Sequence, residues 1–459
     1  GVGEAKLARQ VVRQAQENGD RFFQLVLENK DTDVPAFRRG RAEQLIAAQE
    51  HYESLVEVYG DAPDFIVSTA NAFFFLGRIY DEVGQFGKAL GAFGEAERRY
   101  MAILNDSGEA GAQFVENLAI AKASLGRLAL KQGQYSVARH YFTESTHFWT
   151  EARSRDPQRT LGSKVEIHLN SLAIAECELS MGHPEAALDS ARSVGMQLIE
   201  LQEENPEDDR ITGALARSFG LTGRVLEGNE EGDLALESFQ QSSDIYAEAI
   251  RLNASVDQYH LGLGISLARV GLLTNDIDKL DASVEVLVNV ISSNPFDAAS
   301  QKTLADVYGV LASNQRDGGR LQNAVNLERE AISLLRPLIE ANELVPNDLL
   351  FSYSQRLAHL AELLGDAGEF DESRIPLREA IAALETVTLS PTAQPSHHRA
   401  LARAQGLAGF ACMKTGDTDS AREHLELARN KWERYMAAYP DDTDAVRAAQ
   451  WTSDQLSRL

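Results

Sequence analysis

The chain has 459 residues, 44% of them hydrophobic and 25% charged, a balance that supports a large buried core. Its 44 Lys and Arg stand against 69 Asp and Glu, and the net charge of −25 disfavours nucleic acid, whose phosphates need clustered cations. The only two cysteines, Cys177 and Cys412, exclude a disulfide framework or zinc-type spacing, and no apolar run reaches the ~20 residues of a membrane helix.

The first segment, GVGEAKLARQ, lacks an initiator Met and a signal-peptide core, so the chain is expected to be an excised or processed part of something longer. Residues 4–27 and 35–59 read as two helices of an N-terminal cap. In the second, Ala42, Leu45, Ala48, Tyr52 and Leu55 form one helical stripe.

From residue 61 a repeat takes over. Small residues recur at Gly77, Gly126, Ala175, Gly223, Gly271, Ala312, Ala361 and Gly409, in steps of 48 or 49 except for one of 41. Seven places after each anchor comes a turn position, occupied by Gly84, Gly133, Gly182, Glu230, Asp278, Gly319, Gly368 and Gly416. Twelve places after, a second small residue follows: Ala89, Ala138, Ala187, Ala235, Ser283, Ala324, Ser373 and Ala421. Sixteen places after stand Phe93, Phe142, Ala191, Phe239, Leu287, Glu328, Leu377 and Leu425, an apolar column that Glu328 interrupts.

These columns are helical in character. Phe86, Ala89, Leu90, Phe93 and Ala96 fall at spacings of three and four, on one stripe. Gly84 accepts the left-handed conformation that closes a helix, and Pro184, Glu185, Asp371 and Glu372 suit helix starts. Prolines at 157, 206, 295, 395 and 440 separate one unit from the next. Each unit is therefore helix A, tight turn, helix B and linker, and neighbouring units must stack to bury their stripes.

Leu76, Gly77, Tyr80, Gly84, Ala89, Phe93 and Ala96, with Leu125, Gly126, Gly133, Ala138 and Phe142, resemble the tetratricopeptide (TPR) consensus. The likeness covers about residues 60–440, with helices lengthened by roughly two turns each beyond the family's usual 34-residue unit. It implies an all-α, right-handed TPR-like solenoid of about eight repeats over 61–440. Residues 1–60 would cap one end, and the helix after Pro440, over 441–459, would cap the other. A narrower resemblance is carried by LARQVVRQAQENGDRFFQLVLE, by the segment from FRRGRAEQ to GKALGAF, and by NASVDQYHLGLGISLARVGLL. These are similar to the C-terminal TPR region of planctomycete-type Ser/Thr protein kinases. That resemblance implies the accessory or sensing region of a membrane-anchored bacterial kinase, on the extracytoplasmic side; without it the expected location is cytoplasmic.

No catalytic constellation accompanies the repeat. GxSxG, Walker A, HExxH and the kinase motifs are absent, so no enzyme activity, metal or cofactor is expected of this chain. Gly262 and Gly264 lack the third glycine of a dinucleotide loop, and DIDKLD at 276–281 lacks a calcium loop's turn glycine. His397 and His398 are adjacent and so face different ways on a helix.

The resemblance implies that A helices line a groove and that the residue after each anchor faces it. Those residues are Arg78, Arg127, Glu176 and Arg224, followed by Leu272, Ser313, Glu362 and Phe410. Phe74, Ala123 and Leu172, three before their anchors, and Lys131 complete the expected lining. The peptide-binding candidates are therefore Phe74, Arg78, Arg127, Lys131, Glu176 and Arg224. Arginines beside apolar contacts suit an acidic protein or peptide partner; the alternative is that they pair with Asp81, Glu82 and Glu176. Outward-facing Tyr141, Phe148 and Trp149 would instead favour a self-associating, homo-oligomeric assembly module.

Overall fold

A computed structural model of the chain describes residues 35–60, 62, 65–106, 111–156, 160–293, 298–340, 345–390 and 393–459. The helix expected over 4–27 lies outside the described residues. Among the described residues are eighteen α-helices and no strand. Helix α1 spans Pro35–Tyr59. Eight hairpins follow: α2 Ile66–Glu82 with α3 Phe86–Asp106, α4 Ala112–Lys131 with α5 Tyr135–Arg155, and α6 Thr160–Ser180 with α7 Pro184–Glu204. Next come α8 Asp209–Gly228 with α9 Gly232–Leu252, and α10 Asp257–Thr274 with α11 Ile277–Ser293. The last three are α12 Ala298–Asp317 with α13 Leu321–Glu340, α14 Asn347–Asp366 with α15 Phe370–Thr388, and α16 Pro395–Lys414 with α17 Thr418–Ala438. Helix α18 is Thr443–Leu456.

The chain divides into two compact units, Gly1–Leu130 with Gln134–Ser300, and Gln301–Leu459 with Lys131–Gly133. The all-α, TPR-like repeat architecture is thus present as expected. Paired helices of 17–21 residues are about 25–32 Å long at 1.5 Å per residue, as the long repeat period requires.

One hydrogen bond closes all eight hairpins. The amide three places past the end of helix A (two in the fifth hairpin) donates to the carbonyl five residues earlier, as in Gln85 N to Tyr80 O (2.7 Å) and Asp417 N to Cys412 O (2.9 Å). The residue between needs a left-handed backbone, which Gly84, Gly133, Gly182, Gly319, Gly368 and Gly416 supply with φ between 71° and 85°. Glu230 fills the place at φ 64°. In the fifth hairpin the turn residue is Asn275 (φ 53°), not Asp278. Asn tolerates this conformation, and Asp276 N bonds Gly271 O at 2.9 Å. Asp278 instead lies in the first turn of α11, where Asp276 Oδ1 accepts from the Asp278 and Lys279 amides. The acids of DIDKLD are a helix start. With that turn, the fifth anchor becomes Ala268 and the neighbouring steps become 45 and 44.

Inside a hairpin the anchor and the column sixteen places later are physically one feature. A Cβ built on Gly77 would stand 2.7 Å from the Phe93 ring; Gly223 meets Phe239 at 2.9 Å, and Gly126 meets Phe142 at 3.0 Å. The glycine is the socket for the ring. In the sixth hairpin the column holds Glu328, fully buried, and its carboxylate accepts from Arg356 Nη1 (3.0 Å) and contacts His359 Nδ1, both on α14. Gly309 on α12 leaves the space that the Arg356 guanidinium fills.

The aromatics expected to face outwards do not. Trp149 is buried, while Tyr141 and Phe148 pack half-buried against the core around Phe93 and Tyr100. Lys122 lies over the Tyr141 ring and bonds Glu97 and Glu144 at 2.6 and 2.8 Å. His397 is also buried, its Nδ1 accepting the Gln394 amide at 3.0 Å at the start of α16. No described helix is long and apolar enough to cross a membrane.

Candidate functional site

Helices α2, α4, α6, α8 and α10 are the A helices of the first unit. Consecutive A helices pack directly on each other, α6 on α8 and α8 on α10, so a residue just after one anchor neighbours its counterparts on the next helix. The result is a ladder of ion pairs between repeats. Glu176 on α6 accepts from Arg224 Nη2 at 2.8 Å and from Arg217 Nη2 at 3.2 Å, both on α8. Arg269 on α10 reaches Glu227 on α8 at 3.4 Å. In the second unit Glu362 on α14 lies 3.7 Å from Arg316 of α12 and 2.7 Å from Arg403 of α16.

Of the six expected lining residues, three need correction. Phe74 does not face a groove: it is buried, edge-on to Phe93 and Tyr100, because its position on α2 points into the hairpin. Ala123 and Leu172 are buried for the same reason. Glu176 and Arg224 do lie on the A-helix face, but they neutralise each other, as the pairing alternative held. Burial by itself would raise the Glu176 carboxyl; the Arg224 and Arg217 guanidiniums outweigh it and hold it down to about 2.

Arg78, Arg127 and Lys131 remain. Arg78 is half-buried on α2, and Lys131 ends α4, where a cation complements the helix dipole. Arg127 stands apart. Its side chain is open to solvent, bonds only Ser124 Oγ (2.7 Å), and makes no ion pair among the described residues. The neighbouring A helices take away part of its hydration and lower its pKa; Asp81 of α2 and Glu166 of α6 oppose that shift at longer range, and Arg217 of α8 adds to it. Glu166 also makes no hydrogen bond among the described residues, and desolvation raises its pKa against the pull of Arg127 and Arg210. The face thus holds a neutralised ladder and, beside it, one guanidinium and one carboxylate that attract each other at longer range without pairing.

Arg217, Glu166 and Arg269 lie outside the columns read from the sequence. Arg217 is seven residues before Arg224 and therefore on the same helical face. Arg269 takes the fifth place in the row once Asn275 is recognised as the turn; Leu272 does not.

The Glu176 clamp has a measurable consequence. A carboxyl held at about 2 against an ordinary 4.5 contributes stability that is present above pH 4.5 and lost as pH falls towards 2. Glu176→Gln should cost roughly 3 kcal/mol near neutral pH by that difference. Urea unfolding against pH should show the gap to the parent closing between about pH 4.5 and 2; a pH-independent gap would rule the clamp out as its source.

No family model matches the chain, and no curated protein does. Among solved structures it is similar to the Rap conjugation gene regulator of plasmid pLS20 in complex with the Phr* peptide, at 15% identity and TM-score 0.48, over 83% of this chain and 97% of that one. It is similar to a Rap protein complexed with competence and sporulation factor, at 13% identity and TM-score 0.46, over 82% and 99%. It is also similar to BtubC from P. vanneervenii, at 16% identity and TM-score 0.40, over 56% and 92%. By its own helices and turns the protein is an all-α, helical-hairpin repeat protein of TPR-like architecture.

Proposed function

We propose that the protein is a non-catalytic scaffold that binds an acidic peptide segment along the A-helix face of its first unit. The observation that carries this reading is the Arg127 guanidinium, which has no counter-ion within bonding distance among the described residues while Arg217, Arg224 and Arg269 each have one. A guanidinium on an open face without a counter-ion can take a carboxylate brought to it through a charge-assisted bond.

The test is binding of fluorescent acidic and basic decapeptide pools, followed by polarisation. Acidic pools should bind, and Arg127→Glu should weaken them at least ~10-fold, the scale of one charge-assisted bond lost. Its helicity and melting should match the parent. Equal binding of both pools, or no change in the variant, would overturn the reading.

The setting proposed for this scaffold is the C-terminal region of a membrane-anchored bacterial Ser/Thr kinase, on the extracytoplasmic side. Its support is the likeness of the three quoted segments. An upstream reading frame without a kinase domain and membrane span would remove it. Self-association loses the aromatic face that motivated it, since Trp149 is buried and Tyr141 and Phe148 pack on the core.

A further inference from the structure

A second place in the molecule has the makings of a ligand site, and it lies in the other unit. Where α16 meets α18, a cleft of about 380 Å³ opens between Leu407, Trp432, Ala448 and Trp451, with Arg399 and Arg403 at its rim. Its size falls at the lower end of small-molecule pockets, which are mostly apolar with a few placed polar groups. Gly406 forms part of the wall: a Cβ there would stand 3.4 Å from Trp451 Cζ3, so the missing side chain leaves the indole face open. Trp451 is 36% exposed although it also packs on Phe410.

The hydrogen-bonding balance at the rim defines the ligand. Arg403 uses only Nη2, on Glu362 at 2.7 and 2.8 Å, leaving Nη1 and Nε without partners among the described residues. Arg399 uses Nη1 on Asp442 (3.2 Å) and Nη2 on Asp444 (3.5 Å), leaving Nε. The rim's acidic oxygens are already engaged. Asp442 accepts from Tyr435, Arg399 and the Ala445 amide; Asp444 contacts Arg399 and Arg447; Thr452 donates to Ala448 O. Open donors above an apolar, aromatic floor call for an apolar body that carries acceptors. With Nη2 already on Glu362, the free Nη1 of Arg403 offers a carboxylate one charge-assisted bond.

We propose that this cleft binds a small aromatic carboxylate, its ring against Trp451 and Leu407 and one carboxylate oxygen on the free Nη1 of Arg403. The site is independent of the peptide-binding face, and its failure would leave that reading untouched.

The chain has three tryptophans, and two of them line the cleft, so their fluorescence reports occupancy. The probes are phenylacetate, phenylacetamide of the same shape without the charge, and an N-acetylated hexapeptide ending in phenylalanine with a free carboxylate. Phenylacetate should quench Trp451 with a dissociation constant of about 1 mM or below and bind ~10-fold more tightly than the amide. Arg403→Gln should erase that ratio while leaving amide binding unchanged, and Gly406→Leu should block both by filling the cleft. If the hexapeptide binds far more tightly than phenylacetate, the natural carboxylate is a chain end; comparable binding makes it a free acid. Acid and amide binding alike, no binding by calorimetry, or an unchanged ratio in Arg403→Gln with parent-like melting would each overturn the proposal.

Discussion

Glu328→Leu should destabilise the protein by about 3–5 kcal/mol, although it restores the apolar residue that other repeats carry at that place. Glu328 is fully buried on α13 and is bonded by Arg356, itself largely buried. Removing the carboxylate leaves the guanidinium in the interior with no counter-charge, and that uncompensated charge costs more than the leucine regains. The pair is already imperfect: Glu328 Oε2 and Arg356 Nε have no hydrogen-bond partner among the described residues. Such a network gains little over an apolar core, so Glu328→Leu with Arg356→Met should recover most of the loss. Chemical denaturation of the two variants and the parent decides the matter. A single variant as stable as the parent would mean that the guanidinium escapes to solvent, and a double variant no better than the single would mean that Gly309 cannot tolerate the new side chain.

Gly77→Leu should cost at least about 1–3 kcal/mol, since the built Cβ already falls 2.7 Å from the Phe93 ring and the backbone must separate to admit more. Gly91→Ala, one helix away on α3, should have the opposite sign. Nothing lies within 4 Å of a Cβ there, so the substitution should stabilise by roughly 0.5–1 kcal/mol through helix propensity alone. A second change localises the first effect: with Phe93→Ala in the background, Gly77→Ala should be almost free, because the ring it strikes is gone. Thermal unfolding of these variants is sufficient. Equal effects at Gly77 and Gly91 would mean that the socket plays no part.

The columns of small and apolar residues made the repeat legible because each depends on short-range physics: a helix must close on a left-handed residue, and a hairpin must let two backbones approach. Even so, the spacing alone puts one hairpin three residues out of register. The sequence offers both Asn275 and Asp278 near the turn, and only the closed bond from Asp276 to Gly271 O selects the first. That shift moved Leu272 out of the row of residues following the anchors and brought Arg269 in. Phe74 departs from the expected groove face for a related reason. On an isolated helix the face towards a groove and the face towards the partner helix are a fraction of a turn apart, and which is which depends on the crossing of α2 with α3.

The amino-acid sequence by itself determined the helices, their hairpins, the spacing of their turns and the pairing of small anchors with large neighbours, because all of these follow from periodicity and backbone stereochemistry within some fifty residues. The tertiary structure alone decided which charges meet. Glu176 finds Arg217 and Arg224 across about forty to fifty residues of chain, Glu328 finds Arg356, and Arg127 finds no counter-ion among the described residues. Coulomb attraction depends on distance in space, and the stacking of one repeat on the next sets that distance.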